Sequence, residues 1–100
     1  MNFGGKIRVL VVDDSVLVCK MITQALCSAS DIEIAGVAAD PYEARDKIIS
    51  LNPDVLTLDV EMPRMDGVTF LKLLQQHHPI PVIVISSLAQ QGSQKALEAL

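Results

Sequence analysis

Ile7-Arg8-Val9-Leu10-Val11-Val12-Asp13-Asp14 is the stretch whose reading decides the fold. Its four consecutive apolar residues, Val9 to Val12, lack the apolar–polar alternation of a strand with one wet face. Such a run suits a strand covered by helices on both sides, which is how parallel sheets are built. Val82-Ile83-Val84-Ile85 reads the same way. Outward from these, β-branched runs at 7–12, 32–37, 55–58 and 82–85 alternate with segments of helical apolar spacing at 16–27, 41–50, 68–76 and from about 93 to the end. Asp40-Pro41-Tyr42-Glu43 supplies an N-cap, a first-turn proline and a glutamate at the third helical position, so the start of the second helix is well specified. Four β-α units predict a doubly wound α/β sandwich in one domain over residues 1–100.

The chain has 100 residues, half of them hydrophobic, enough for one folded core. A formal charge of −4 and a pI near 4.9 argue against a nucleic-acid groove or an anionic membrane surface, both of which call for clustered Lys and Arg. Asp13 and Asp14 interrupt the first apolar run and Pro79 and Pro81 break the last, so neither reaches the roughly 18 to 20 residues of a membrane span. The start does not read as a signal peptide. Cys19 and Cys27 fall in one predicted helix, about 12 Å apart at the helical rise, beyond the roughly 7 Å limit of a disulfide. Reduced thiols and a cytoplasmic protein are therefore expected.

In an open parallel sheet the ligand site lies beyond the carboxyl ends of the strands, and here those ends are acidic. The first strand runs into Asp13-Asp14 and the third into Asp59. If the sheet sets these strands side by side, three carboxylates meet at one edge. Two unit charges about 4 Å apart repel by about 4 kcal/mol at an effective dielectric near 20, so such a cluster needs raised pKa values or a cation. Oxygen ligation with no suitably spaced Cys or His favours Mg²⁺, which takes one or two carboxylates together with phosphate oxygens. A remaining carboxylate is then available as a nucleophile. Against this, an aspartate after a strand also serves as an ordinary turn or N-cap residue.

Other polar groups have simpler roles open to them. The loop Val60-Glu61-Met62-Pro63-Arg64-Met65-Asp66-Gly67 is stiffened by proline, and its Asp-Gly is able to close it before the next helix. Ser86 and Ser87 follow the fourth strand, where a hydroxyl either donates to a phosphoryl oxygen or simply starts a polar loop. His77 and His78 stand at a helix C-terminus, where partial positive charge is welcome. Met21, Met62 and Met65 read as packing and loop residues, and Gly4-Gly5 is too isolated to form a phosphate loop.

Taken together, Asp13-Asp14, Asp59, the Met-Pro-Arg-Met-Asp-Gly loop and Ser86 resemble the response-regulator receiver family, over residues 6–100. The resemblance implies a flavodoxin-like (βα)5 fold with strand order 2-1-3-4-5, and Asp59 as the side chain that takes a phosphoryl group from a phosphohistidine of a sensor histidine kinase. It also implies Mg²⁺ held by Asp14 directly, by Asp13 largely through water, by the Asp59 carboxylate and by the backbone carbonyl of Glu61. Ser86 would hold a phosphoryl oxygen. The stretches 52–67 and Ile85-Ser86-Ser87-Leu88 are similar to those of chemotaxis protein-glutamate methylesterases. In that group the receiver restrains a C-terminal esterase domain that demethylates chemoreceptors, and no esterase domain is expected in these 100 residues.

No G-x-S-x-G turn surrounds Ser86 and Ser87, so neither reads as an esterase nucleophile. The resemblance further implies a fifth strand, a lysine and a last helix after Leu100. Without them, this sequence is expected to be a receiver cut after its fourth βα unit, and either self-associated or poorly stable. A stand-alone receiver acting through partner binding fits the same site residues. A metal-dependent aspartate phosphohydrolase typically carries a second Asp two residues after the first, where Ser15 stands. A flavin mononucleotide protein of the same topology would meet repulsion between its phosphate and Asp13-Asp14.

Overall fold

The computed structural model describes residues 5–59 and 67–85. In it the four apolar runs form strands β1 (Ile7–Val12), β2 (Ile32–Ala38), β3 (Val55–Asp59) and β4 (Val82–Ile85), with helices α1 (Val16–Cys27), α2 (Pro41–Leu51) and α3 (Gly67–His77) between them. All pairings are parallel, in the order β2-β1-β3-β4. This is the doubly wound arrangement expected, with the order expected for its first four strands. The helix expected from about residue 93 lies outside the described residues.

The pleat divides the strands between two helical layers. Leu10, Val12, Leu56 and Leu58 meet Ala44 and Ile48 of α2 and Phe70 and Leu74 of α3. Val9 and Val11 face the other way and pack with Cys19, Ile22 and Leu26 of α1. Every residue from Val9 to Val12 is therefore buried, the condition that an apolar run without alternation requires. Each fully buried leucine contributes about 2 kcal/mol relative to exposure.

Two local devices set where strands and helices end. β1 and β2 slip register between Val9, which faces Ile34, and Leu10, which faces Gly36, leaving Ala35 as the extra residue of a bulge. A Cβ on Gly36 would stand 2.9 Å from Leu51 Cδ1, so any larger residue there would make the end of the Leu51 side chain shift. α2 begins as its sequence indicated, with the Asp40 side chain accepting from Glu43 N–H at 2.8 Å. It stops at Asn52, which adopts the left-handed conformation (φ 48°) and donates its N–H to Ile48 O, a role asparagine fills better than most residues.

At the amino edge of the sheet, β1 and β3 are laced by polar groups. Arg8 N–H donates to the Asp54 carboxylate at 2.8 Å, and Asp54 N–H donates to Arg8 O at 2.8 Å. The Arg8 guanidinium reaches Leu51 O at 2.5 Å and Glu33 at 3.3 Å. This fixes the start of β3 against β1, and so the register carried to the opposite edge.

Candidate functional site

That register assembles the acidic edge. β1 and β3 pair Val12 with Leu58, so the next residue on each strand, Asp13 on one and Asp59 on the other, falls beside its neighbour. β3 runs one residue further than its apolar pattern indicated, and Asp59 lies within the ladder opposite Ile85 of β4. Asp13 also extends the pairing of β1 and β2, donating its N–H to Ala38 O at 3.0 Å. One carboxylate oxygen from each of Asp13, Asp14 and Asp59 lies within 4.8 Å of the other two. Asp13 and Asp59 are only 5% and 6% exposed, while Asp14 is exposed to solvent.

The turn into α1 holds the first two aspartates. Ser15 N–H donates to Asp13 Oδ1 at 2.8 Å, and the Ser15 hydroxyl caps the helix by accepting from Val18 N–H at 3.2 Å. Within the described residues the capping role thus falls to Ser15, leaving the Asp14 carboxylate at the edge. Burial pushes the Asp13 carboxyl above its ordinary value, the Ser15 N–H opposes that rise, and the neighbouring Asp14 adds to it. At the observed spacing of up to 4.8 Å, each pair of ionised carboxylates repels by at least about 3.5 kcal/mol at an effective dielectric near 20.

A donor set made only of carboxylate oxygens, one of them open to water, suits a hard divalent cation that keeps part of its hydration shell. Mg²⁺ fits these residues. A cation there would relieve the repulsion, and a carboxylate at the end of a strand is placed to act as a nucleophile. Beside the cluster, Lys20, Thr23 and Gln24 of α1 face Val37 and Ala39 across a cleft of about 590 Å³ that also reaches Asp13 and Asp14.

Of the residues singled out in the sequence, Asp13, Asp14 and Asp59 are brought together, whereas Glu61 and Ser86 lie outside the described residues. His77 ends α3 and His78 N–H donates to Leu74 O, consistent with a helix-terminal role. Both cysteines are free thiols. Cys19 has a part that sequence reasoning missed: its buried Sγ–H donates to Asp13 O at 3.3 Å. Burial, then Asp13, Asp14 and Glu43, raise the Cys19 pKa, keeping it a neutral donor. No local pattern announces it, since the bond depends on the path of the turn between Asp13 and α1.

Residues 9–100 match the family of response regulator receiver domains. A protein-glutamate methylesterase/protein-glutamine glutaminase of Syntrophus aciditrophicus is 58% identical over 96 residues, which cover 96% of this chain and 28% of that protein. Its counterpart in Hydrogenovibrio crunogenus is 59% identical over 96 residues, covering 96% of this chain and 26% of that protein. The chain thus spans about a quarter of the length of these relatives. The crystal structure of the response regulator domain of Thermotoga maritima CheB is similar with a TM-score of 0.80 at 42% identity, covering 94% of this chain and 70% of that one.

Proposed function

Since this chain belongs to the response regulator receiver domain family, we propose that it is a phosphoryl acceptor, with Asp59 as the side chain modified. The observation that carries this reading is the set of three carboxylates within 4.8 Å of one another at the carboxyl edge of the sheet. A carboxylate oxygen of Asp59 attacks the phosphorus of a phosphohistidine on a sensor histidine kinase. The new P–O bond forms as the P–N bond breaks, and its electron pair returns to the imidazole nitrogen. Asp14 and Asp59 would hold Mg²⁺ directly and Asp13 largely through water, while the backbone carbonyl of Glu61 would be a further ligand and Ser86 would contact a phosphoryl oxygen. When bound, Mg²⁺ offsets the negative charge of the phosphoryl group and of the carboxylates.

Identity near 58% to proteins of the methylesterase type supports a parent protein in which residues 1–100 form the receiver and a C-terminal domain hydrolyses glutamate methyl esters. Chemoreceptors are then indirect partners, a chemotaxis kinase is the phosphodonor, and the cytoplasm is the setting. Among the described residues, no helix is long and apolar enough to cross a membrane.

The test is labelling of the chain by acetyl phosphate with and without Mg²⁺, followed by mass mapping. Label is expected on Asp59 only when Mg²⁺ is present, and Asp59→Asn should abolish it. Phosphate mapped to Asp13 or to a serine would overturn the assignment.

A further inference from the structure

On the opposite face of the sheet from α1, helices α2 and α3 leave a groove of about 400 Å³ between them. Its floor is core, formed by Ile48 and Phe70. The α2 wall presents Tyr42, Arg45 and Ile49, and the α3 wall presents Leu73, His77 and His78. Ile49 is 69% exposed, Tyr42 45% and Leu73 40%, so apolar side chains stand open to water on both walls. Nothing in the reaction at Asp59 uses them.

We propose that this groove docks a short acidic amphipathic segment of a partner protein. Charge carries the choice of partner. The chain is acidic overall, with 12 Asp and Glu against 8 Lys and Arg, yet none of the described residues lining the groove is acidic, while Arg45, His77 and His78 form its polar rim. Arg45 pairs with Asp46 at 3.6 Å, and both side chains are largely exposed, so the guanidinium gives up little by turning to an incoming carboxylate. Shape favours a peptide. A small ligand is normally enclosed over most of its surface, and this groove is only partly enclosed, whereas two helices with apolar walls match the way an amphipathic segment is laid into a groove. The concave walls do not fit a flat bilayer.

The probe is a synthetic dodecapeptide with Leu and Phe at helical spacing and Glu elsewhere, titrated into the full 100-residue chain and followed by backbone amide chemical shifts. Its counterpart carries Lys in place of every Glu. The acidic peptide is expected to shift signals centred on Tyr42, Ile49, Leu73 and His77, and the basic one is not. Ile49→Ser should weaken binding roughly tenfold, and Arg45→Glu should reverse the preference between the two peptides; both positions are exposed, and thermal melts check that each variant stays folded. The proposal is overturned by absent binding, by shifts centred elsewhere, or by equal binding of both peptides. It is equally overturned if decanoate or vesicles of anionic phospholipid reproduce the shifts, or if the same signals move on concentrating the chain alone.

Discussion

The two ends of the parallel sheet treat their carboxylates in opposite ways. At the amino edge, Asp54 accepts the Arg8 N–H, and the Arg8 guanidinium takes up the carbonyls of Leu51 and Asn52 together with Glu33. Donors and acceptors there are matched. At the carboxyl edge, Asp13, Asp14 and Asp59 crowd within 4.8 Å, and the influences on Asp13 are burial and a like charge, opposed by one backbone N–H. The first end is built to hold strands in register. The second is held by that register in an arrangement that crowds like charges, and burial together with the neighbouring Asp14 raises the Asp13 carboxyl pKa. The residues that set register and those proposed to accept the phosphoryl group thus lie at opposite ends of the same two strands.

The sharpest way to break this contrast is to damage the matched end. Asp54→Ala leaves the Arg8 N–H without its 2.8 Å carboxylate partner, and an unsatisfied part-buried donor costs about 1–3 kcal/mol. Urea unfolding should show a loss of about 2 kcal/mol with an unchanged slope. Mg²⁺ affinity measured on the folded fraction should hardly move, since the change lies a strand's length, roughly 16 Å, from the acidic edge. A large fall in Mg²⁺ affinity would mean that the two ends are coupled and that the separation drawn here is wrong.

The opposite experiment acts on the crowded end. Asp13→Asn keeps an oxygen for the Ser15 N–H and removes one buried charge. Without Mg²⁺, the variant should be more stable than the original chain at neutral pH by on the order of 1 kcal/mol. Saturating Mg²⁺ should erase that advantage, because a ligand bound only by the folded state stabilises it. Thermal melts of both proteins with and without Mg²⁺ decide the matter. If Asp13→Asn destabilises the metal-free chain, the cluster is not under electrostatic strain.

Most of the fold was legible because burial leaves a direct trace in sequence. The unbroken run Val9 to Val12 announced a two-sided strand, and Asp40-Pro41-Tyr42-Glu43 announced a helix start at the position observed. The carboxylates were legible as strand-end residues, but their proximity depends on the pairing of Val12 with Leu58, a register set by a lattice of backbone bonds that no local pattern encodes. β3 reached Asp59 although its apolar pattern stops at Leu58, because ladder pairing with Ile85 does not depend on the polarity of the side chain. The Gly36 bulge and the donation from Cys19 to Asp13 O were hidden for the same reason. Both answer to neighbours distant in sequence or to the path of a turn.

The smallest effect tests whether Lys47 is committed away from the acidic edge. Lys47 donates to Val37 O and pairs with Glu43 at 3.0 Å, while Glu43 also accepts Ala39 N–H at 3.3 Å. The hydrogen bond from Lys47, then that from Ala39, pull the Glu43 carboxyl below its ordinary value. A folded-state pKa below the unfolded one means that the stabilisation is fully present above the unfolded value, near 4.3, and is lost as the pH falls through the lower folded value. Because both side chains are partly exposed, solvent screens the pair, and Glu43→Gln should cost only about 0.3–0.5 kcal/mol at pH 7. The difference between the two proteins should shrink in 1 M salt and vanish on acidification past the folded pKa, while their Mg²⁺ affinities stay equal. A gain in Mg²⁺ affinity or a loss of it in Glu43→Gln would show that the released Lys47 is free to reach the acidic edge, and the carboxyl end would then be one shared electrostatic network rather than a Lys47–Glu43 pair standing apart from the carboxylate cluster.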